Sequence, residues 1–239
     1  RYPMFVAMWH ASSNPCAPLV PVRLCATSEG ITDGDGTTFG RQAYWEATYA
    51  AIEGERFTWY AQWEDLEPFW KELVPDMQAC ILVPGIGNDA SMVDMYDAGW
   101  TKLTAMDYAP AGVTRAKQLF GEDRDVQVDE ADLRALPYAS STFDAAFDKG
   151  TLDAVYISGG AADGEDREAQ LQMAVDELHR VVRPGGVVFC VTAAAAERIP
   201  LAFTNRKQWR ELRDGSLHIT DDGFASINVD ATMFAWERV

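Results

Sequence analysis

The sequence is poor in basic residues and lacks the spacing of a metal site. Its 239 residues include only 20 lysines and arginines against 37 aspartates and glutamates, for a formal net charge of -17. Such a field repels phosphate backbones and anionic lipids, so neither nucleic acid nor a membrane is an expected partner. The four cysteines form no Cys-x-x-Cys pair and the three histidines lie far apart, so we expect no metal.

Long apolar runs are absent as well. No stretch approaches the roughly 20 apolar residues that span a bilayer, and no charged segment followed by an apolar run marks a secretory signal. Hydrophobic residues still make up 48% of the chain, which is enough for a buried core. We therefore expect a cytoplasmic protein. The arginine at position 1 leaves open the organelle targeting of a longer precursor.

The chain divides by composition near residue 38. Residues 1–38 are rich in proline and turn residues, which predicts an irregular arm. Residues 39–239 are predicted to form one domain, which begins with a helical lid over 39–75. The second helical stretch of this lid, from Trp59 to about Leu73, is expected to be interrupted at Pro68.

From Cys80 onward, apolar strands alternate with amphipathic helices. This alternation predicts a doubly wound, Rossmann-like α/β fold, with a mostly parallel seven-stranded sheet and an antiparallel C-terminal strand. A terminal strand pair is expected at Leu217–Ile219 and Thr232–Arg238, and the basic residues between 206 and 213 are expected on one exposed helix face. The other strands are predicted at 80–84, 101–106, 126–129, 143–147 and 186–192, with helices near 89–98, 110–120 and 166–183.

Two glycines and an aspartate form the first chemical pattern. Gly85 and Gly87 follow an apolar strand and precede a helix, where backbone N–H groups can approach a ligand. Asp107 follows 20 residues after Gly87, at the end of the next strand, where a carboxylate accepts hydrogen bonds from ribose hydroxyls. With Ala90 in the last place, the loop also fits the dinucleotide pattern, so a nicotinamide enzyme has to be considered.

The remaining pattern distinguishes a nicotinamide enzyme from a methyltransferase. Acidic residues at 129–132 follow the third strand, Asp148 stands at the end of the fourth, and Arg183-Pro184-Gly185-Gly186 joins a helix to the fifth. This order is typical of class I methyltransferases that use S-adenosylmethionine (SAM). The chain has no Tyr-x-x-x-Lys motif, which a nicotinamide enzyme of this size would need.

The sequence resembles the eukaryotic methyltransferase-like group that includes lysine methyltransferases acting on translation elongation factor 1 alpha. The resemblance covers roughly residues 39–195 and lies in five stretches: 44–49, 57–60, 85–88, 106–108 and 148–154. It implies SAM as cofactor and S-adenosylhomocysteine as product. It also implies that SAM-pocket residues would be Trp45, Tyr49, Trp59, Gly85, Gly87, Asp107, Tyr108, Asp132, Leu133 and Lys149.

Three positions depart from the family pattern. The family usually has Gly-Cys-Gly-Asn-Ser in the loop, whereas Asp89 stands here in place of the serine and Ile86 in place of the cysteine. An arginine common in the first aromatic motif is Thr48. We expect the cofactor to be unaffected by these changes, whereas the substrate is left undefined by them.

Asp148 is the predicted catalytic residue. It lies where the methyl group should be, so it would orient the incoming donor group or accept a proton from it. The alternative is that Asp148 only caps the helix that follows. A protein lysine is the expected acceptor. The alternatives are a small-molecule acceptor (a thiol, halide, amine or carboxylate) and a non-catalytic SAM-binding module. The acceptor, protein or small molecule, is expected to be cationic or neutral.

Overall fold

The computed structural model describes residues 38–51, 58–158, 166–217 and 231–239, together with the backbone of two short strands. These strands, β1 (Met8–Trp9) and β2 (Pro21–Val22), pair antiparallel. The rest of the predicted arm over residues 1–37 lies outside the described residues.

Seven further strands form one sheet. They are β3 (Ile81–Pro84), β4 (Leu103–Asp107), β5 (Gln127–Glu130), β6 (Phe143–Lys149), β7 (Val182–Thr192), β8 (Trp209–Leu217) and β9 (Ala231–Arg238). Their order is β5-β4-β3-β6-β7-β9-β8, and all neighbours are parallel except that β9 runs antiparallel to both β7 and β8. The predicted fold class is confirmed.

Helices cover both faces of this sheet. A 3-10 turn (Thr38–Gly40) precedes α1 (Gln42–Ala51), α2 (Trp63–Leu73), α3 (Ser91–Asp97), α4 (Pro110–Phe120), α5 (Thr151–Ser158), α6 (Arg167–Val181) and α7 (Ile199–Ala202). Side chains alternate along each strand, so Ile81 and Val83 join the core beneath α2, α3 and α4, whereas Leu82 joins the core beneath α5, α6 and α7.

Helix α2 belongs to the first core. Trp70 is fully buried, and its ring lies 5.2 Å from that of Phe147 and 5.9 Å from that of Phe189. The predicted interruption at Pro68 is wrong, because α2 continues through this residue. Proline removes one hydrogen bond to the carbonyl four residues earlier. That carbonyl belongs to Glu64, on the same exposed face as Pro68, where water can satisfy it.

The C-terminal region differs from the prediction in two ways. Strand β8 begins at Trp209 rather than Leu217, and residues 218–219 lie outside the described residues. The expected basic helix face is wrong, since Arg210 and Arg213 belong to this strand. Arg213 pairs with Glu72 at 2.6 Å and its guanidinium lies 4.9 Å from the ring centre of Phe69. Pairing with β9 along its whole length holds this segment in the sheet, and the contacts of Arg213 add a link to α2.

We expect Trp70→Ala to lower the free energy of unfolding by about 3–5 kcal/mol, because the substitution leaves a cavity between α2 and the sheet. Urea denaturation followed by circular dichroism measures the loss. The control is Met173→Ala on the exposed face of α6, where a change within about 0.5 kcal/mol is expected. Equal effects of the two substitutions would contradict the packing described here.

Candidate functional site

The site lies at the carboxyl ends of the parallel strands. The sheet order reverses between β3 and β6, and ligands of doubly wound sheets bind in the crevice outside such a reversal. Gly85 and Gly87 form the loop after β3, with φ values of 59° and 47° in the left-handed region. A Cβ at Gly85 would lie 2.2 Å from Thr151 Oγ1, so only glycine fits there.

Three predicted aromatic residues meet over this loop. Tyr49 is buried against Gly87, where a Cβ would lie 2.3 Å from the tyrosine Oη. The ring of Trp45 stacks on Tyr49 with centres 5.5 Å apart, and the ring of Trp59 meets Trp45 edge-on at 5.9 Å. The structure therefore brings Trp45, Tyr49 and Trp59 together beside the glycine loop.

Helix α1 lies across the mouth of the crevice. Gln42 Nε2 donates to the carbonyl oxygen of Tyr108, and Ala111 N donates to Glu46 Oε2 at 2.9 Å. On the other side, a Cβ at Gly40 would lie 2.4 Å from Ser158 N at the end of α5. Of the predicted lid over 39–75, the 3-10 turn and α1 cover the crevice, whereas α2 packs in the core.

Asp107 ends β4 beside the glycine loop. Its carboxylate is buried, and its two oxygens accept hydrogen bonds from Gly87 N and Ala109 N, both at 2.9 Å. Burial raises the pKa of Asp107 to about 6, although these backbone donors oppose the shift. Each carboxylate oxygen has a further lone pair for an incoming hydroxyl group.

A cavity of about 630 Å³ opens beside Tyr108, the residue that follows Asp107. Asp132, in its wall, pairs with Arg134 at 2.6 Å. Burial would raise the pKa of Asp132, but the hydrogen bonds from Arg134 outweigh burial and the pKa is lowered. Leu133 is buried and lines a smaller neighbouring cavity together with Gly85 and Tyr108. The larger cavity is lined by Gly40, Arg41, Gln42, Ala43, Tyr108, Glu130, Ala131, Asp132, Arg134 and Ser158.

Lys149 and Asp89 form a buried ion pair at 2.9 Å. The ammonium group also donates to Thr58 Oγ1 and to the carbonyl oxygens of Trp59 and Ala61. Burial lowers the pKa of Lys149, and the Asp89 carboxylate opposes this shift. The charge added by Asp89, a departure from the family loop, is thus neutralised by Lys149. The predicted place of Lys149 beside the cofactor remains a prediction.

Asp148 is fully buried at the end of β6. One carboxylate oxygen accepts from Leu152 N at the start of α5 at 3.1 Å, and the other is 3.1 Å from the Cys190 thiol. Burial raises the pKa of Asp148 to about 7. This geometry matches the helix-capping alternative, and the predicted catalytic role of Asp148 remains a prediction.

A second buried aspartate at this edge was missed from the sequence. Asp153, on α5, accepts hydrogen bonds from Tyr60 Oη at 3.0 Å, from Thr192 Oγ1 and from Ala195 N. Burial raises the pKa of Asp153. Both Tyr60 and Asp153 fall inside stretches that carry the family resemblance, which is the signal that could have singled them out.

The residues present fit SAM. A buried carboxylate with spare lone pairs suits the ribose, and an apolar wall at Leu133 suits the adenine. The side chain of Asn88 is 2% exposed, and its Nδ2 donates to no acceptor within the described residues. An amide donor buried in the glycine loop suits a carboxylate such as that of the methionine part of SAM.

The described residues contain no cluster of three or more histidine, cysteine, aspartate or glutamate side chains that could hold a metal ion. In that same part of the chain, no helix is long and apolar enough to cross a membrane.

Residues 82–190 match the family model described as "Methyltransferase domain". The mouse protein named "EEF1A lysine methyltransferase 4" is 30% identical over 176 residues, which cover 70% of this chain and 66% of that protein. A Drosophila pseudoobscura pseudoobscura protein named "eEF1A lysine and N-terminal methyltransferase homolog" is 28% identical over 155 residues, covering 64% of this chain and 22% of its own length. The chain therefore spans less than two thirds of these relatives.

Solved structures share the fold at low identity. The N-methyltransferase NodS from Bradyrhizobium japonicum WM9, in complex with S-adenosylhomocysteine, superposes with a TM-score of 0.59 at 15% identity, over 84% of this chain and 98% of that one. A structure titled as the [4+2]-cyclase SpnF superposes with a TM-score of 0.55 at 15% identity, over 82% and 93% of the two chains. The fold is therefore shared across different reactions and cannot by itself identify one.

We expect Gly87→Ala to weaken SAM binding by at least about tenfold, since its Cβ would displace Tyr49 from the glycine loop. Gly121→Ala is the matched control, because Gly121 also has a positive φ of 71° but nothing lies within 4 Å of its Cβ position. The control should cost about 1–2 kcal/mol of stability and leave SAM affinity unchanged. Isothermal titration calorimetry measures the SAM affinity of both variants. Equal affinities would show that the packing of Tyr49 on Gly87 does not support SAM binding.

We also predict that SAM affinity falls as pH drops below about 6, by up to about tenfold for each pH unit. In the predicted role of Asp107, the ribose hydroxyls would donate to its ionised carboxylate, and this form is lost as pH falls through the raised pKa. Asp107→Asn should weaken binding and abolish this pH dependence, whereas Asp144→Asn, at the opposite end of β6, should retain it. A flat pH profile for the unsubstituted chain would rule out this role of Asp107.

Proposed function

We propose that this chain is a class I SAM-dependent methyltransferase and that it transfers a methyl group to a lysine side chain of a protein. The observation that carries the proposal is the 30% identity to the mouse relative, whose name states that it is a lysine methyltransferase of elongation factor 1 alpha. The chain's net charge of -17 also suits a basic protein segment.

The cofactor is assigned to the crevice as follows. Asp107 accepts from the ribose hydroxyls, and Asp132 and Leu133 hold the adenine next to Tyr108. Gly85, Gly87 and Asn88 hold the methionine part. The aromatic cluster of Trp45, Tyr49 and Trp59 stands beside the glycine loop, where aromatic faces attract a sulfonium cation by about 0.5–2 kcal/mol per contact.

SAM supplies an electrophilic methyl group. In the transfer one N–C bond forms and one S–C bond breaks, and the electron pair of the broken bond stays on the neutral sulfide. One N–H proton is released. The sulfide needs no acid, so the chain has to align the amine, exclude water and admit the amine in neutral form. Helix α1 covers the crevice and thereby keeps water out of it. We place this activity in the cytoplasm, where the described thiols of Cys80 and Cys190 stay free.

A small-molecule amine is the second candidate acceptor. The lid over the crevice favours it, because α1 is tied to both Tyr108 and Ala111 and narrows the route by which a protein loop could enter. After transfer from labelled SAM, the label would be on a protein if the acceptor is a lysine side chain, and on a small molecule if it is a free amine.

The test offers recombinant elongation factor 1 alpha and a small-metabolite extract to the purified chain in parallel reactions with methyl-labelled SAM. We expect label on the elongation factor band, and expect it to disappear when the labelled lysine, located by mass spectrometry, is replaced by arginine. Gly87→Ala should give no label. Label found only in the low-mass fraction would favour the second candidate, and no transfer to either despite SAM binding would refute both.

A further inference from the structure

Tyr60 has an unusual backbone conformation. Its φ of 62° lies in the left-handed region, which aromatic residues rarely adopt. Among the described non-glycine residues only Ser141 shares a positive φ. A residue keeps such a conformation only where its surroundings impose it, and such positions cluster at functional sites.

A hydrogen bond of 2.6 Å from Ala61 N to the carbonyl oxygen of Trp59 closes the turn around Tyr60, and this turn is held by Lys149. Its ammonium group lies 2.8 Å from the carbonyl oxygen of Trp59 and 3.1 Å from that of Ala61, the two residues on either side of Tyr60. The same group is paired with Asp89 in the glycine loop. The turn that presents Tyr60 is therefore anchored to the end of β6 and to the glycine loop.

The side chain of Tyr60 lies at the carboxyl ends of β6 and β7. Its ring packs on Gly150, where a Cβ would be 3.1 Å from the tyrosine Cε2. Its hydroxyl donates to Asp153, which also accepts from Thr192 at the end of β7. The glycine loop with the assigned cofactor residues lies next to it, because Thr151 Oγ1 donates to the carbonyl oxygen of Pro84.

Tyr60 has more exposed surface than the aspartates of this network. Asp148 is fully buried, and Asp153 is 2% exposed with both oxygens already accepting from protein donors. Tyr60 is partly exposed. Burial and the neighbouring Asp153 raise its pKa well above the ordinary value, so the phenol stays neutral. With its proton committed to Asp153, the hydroxyl oxygen retains lone pairs that can accept an N–H.

We infer that Tyr60 Oη accepts a hydrogen bond from the incoming amine of the acceptor lysine and orients its lone pair, with Lys149 as the positioning residue that holds Tyr60 there. This inference rests on the proposed function. Tyr60 transfers no proton: the amine enters neutral, and the proton that it loses after methyl transfer passes to water.

Tyr60→Phe tests the inference, since it removes the hydroxyl oxygen and keeps the ring on Gly150. Tyr138→Phe is the matched control, because Tyr138 Oη also donates to an aspartate, Asp129, at 3.0 Å, away from the site. For methyl transfer to recombinant elongation factor 1 alpha, we expect Tyr60→Phe to lower kcat/KM by about tenfold or more, the effect of one lost hydrogen bond of about 1.4 kcal/mol. SAM affinity should stay unchanged in both variants, and both should fold, with a lower melting temperature in Tyr60→Phe because buried Asp153 loses one donor.

A binding readout separates this inference from the proposed function. Titration of n-butylamine, a mimic of the lysine side chain, into the chain saturated with S-adenosylhomocysteine should shift the amide NMR signals of Gly150 and Thr192. The shifts should persist in Tyr138→Phe and disappear in Tyr60→Phe. Unchanged kcat/KM and unchanged shifts in Tyr60→Phe would overturn the inference. Amine-dependent shifts without methyl transfer to any protein would instead overturn the proposed protein substrate and leave the amine site supported.

Lys149 is tested by Lys149→Met and Lys149→Arg. A positioning role predicts that Lys149→Met weakens n-butylamine binding as Tyr60→Phe does, and that Lys149→Arg restores at least part of it. If Lys149→Met folds and binds n-butylamine like the unsubstituted chain, the positioning role is refuted. If it does not fold, Lys149→Arg decides: a folded arginine variant without amine binding would refute the role.

Discussion

The buried ammonium group of Lys149 joins three parts of the chain that are far apart in sequence. Lys149 is the last residue of β6. Its ammonium group pairs with Asp89 in the loop after β3 and donates to carbonyl oxygens in the turn before α2. Removing one partner of such a buried pair costs about 3–5 kcal/mol, because the other charge remains buried and unpaired. The shape of the crevice depends on this contact, since it fixes the glycine loop and the turn of Trp59 and Tyr60 relative to the sheet.

The site has two halves, one assigned to the cofactor and one around Tyr60, and this contact joins them. The ends of β3, β4 and β5 and the loops after them carry most of the groups assigned to SAM. The ends of β6 and β7 and the start of α5 carry Gly150, Asp153 and Thr192, which surround Tyr60. The reversal of strand order between β3 and β6 separates the two halves and leaves the crevice between them. Helix α1 covers the first half through Tyr49, so cofactor and acceptor are expected to enter from different sides.

Much of this could be predicted from the sequence, because buried parallel strands are continuous apolar runs and their ends carry polar residues. The strands after residue 80, the glycine loop and Asp107 were found in this way. The sequence could not tell that Asp148 at the end of β6 is fully buried, because its burial depends on distant partners such as Cys190. The conformation of Tyr60 could not be predicted for the same reason, since Lys149, which binds the carbonyl oxygens on either side of it, lies 89 positions later.

The central claim is that SAM occupies the crevice at the reversal point, with its reactive end toward Tyr60. A crystal structure of the chain with S-adenosylhomocysteine tests this most directly. The account predicts ribose hydroxyls within hydrogen-bonding distance of Asp107, adenine against Leu133, and the sulfur facing the side of the crevice formed by Tyr60 and Gly150. The product bound elsewhere, or bound in the crevice with its sulfur directed away from Tyr60, would contradict it.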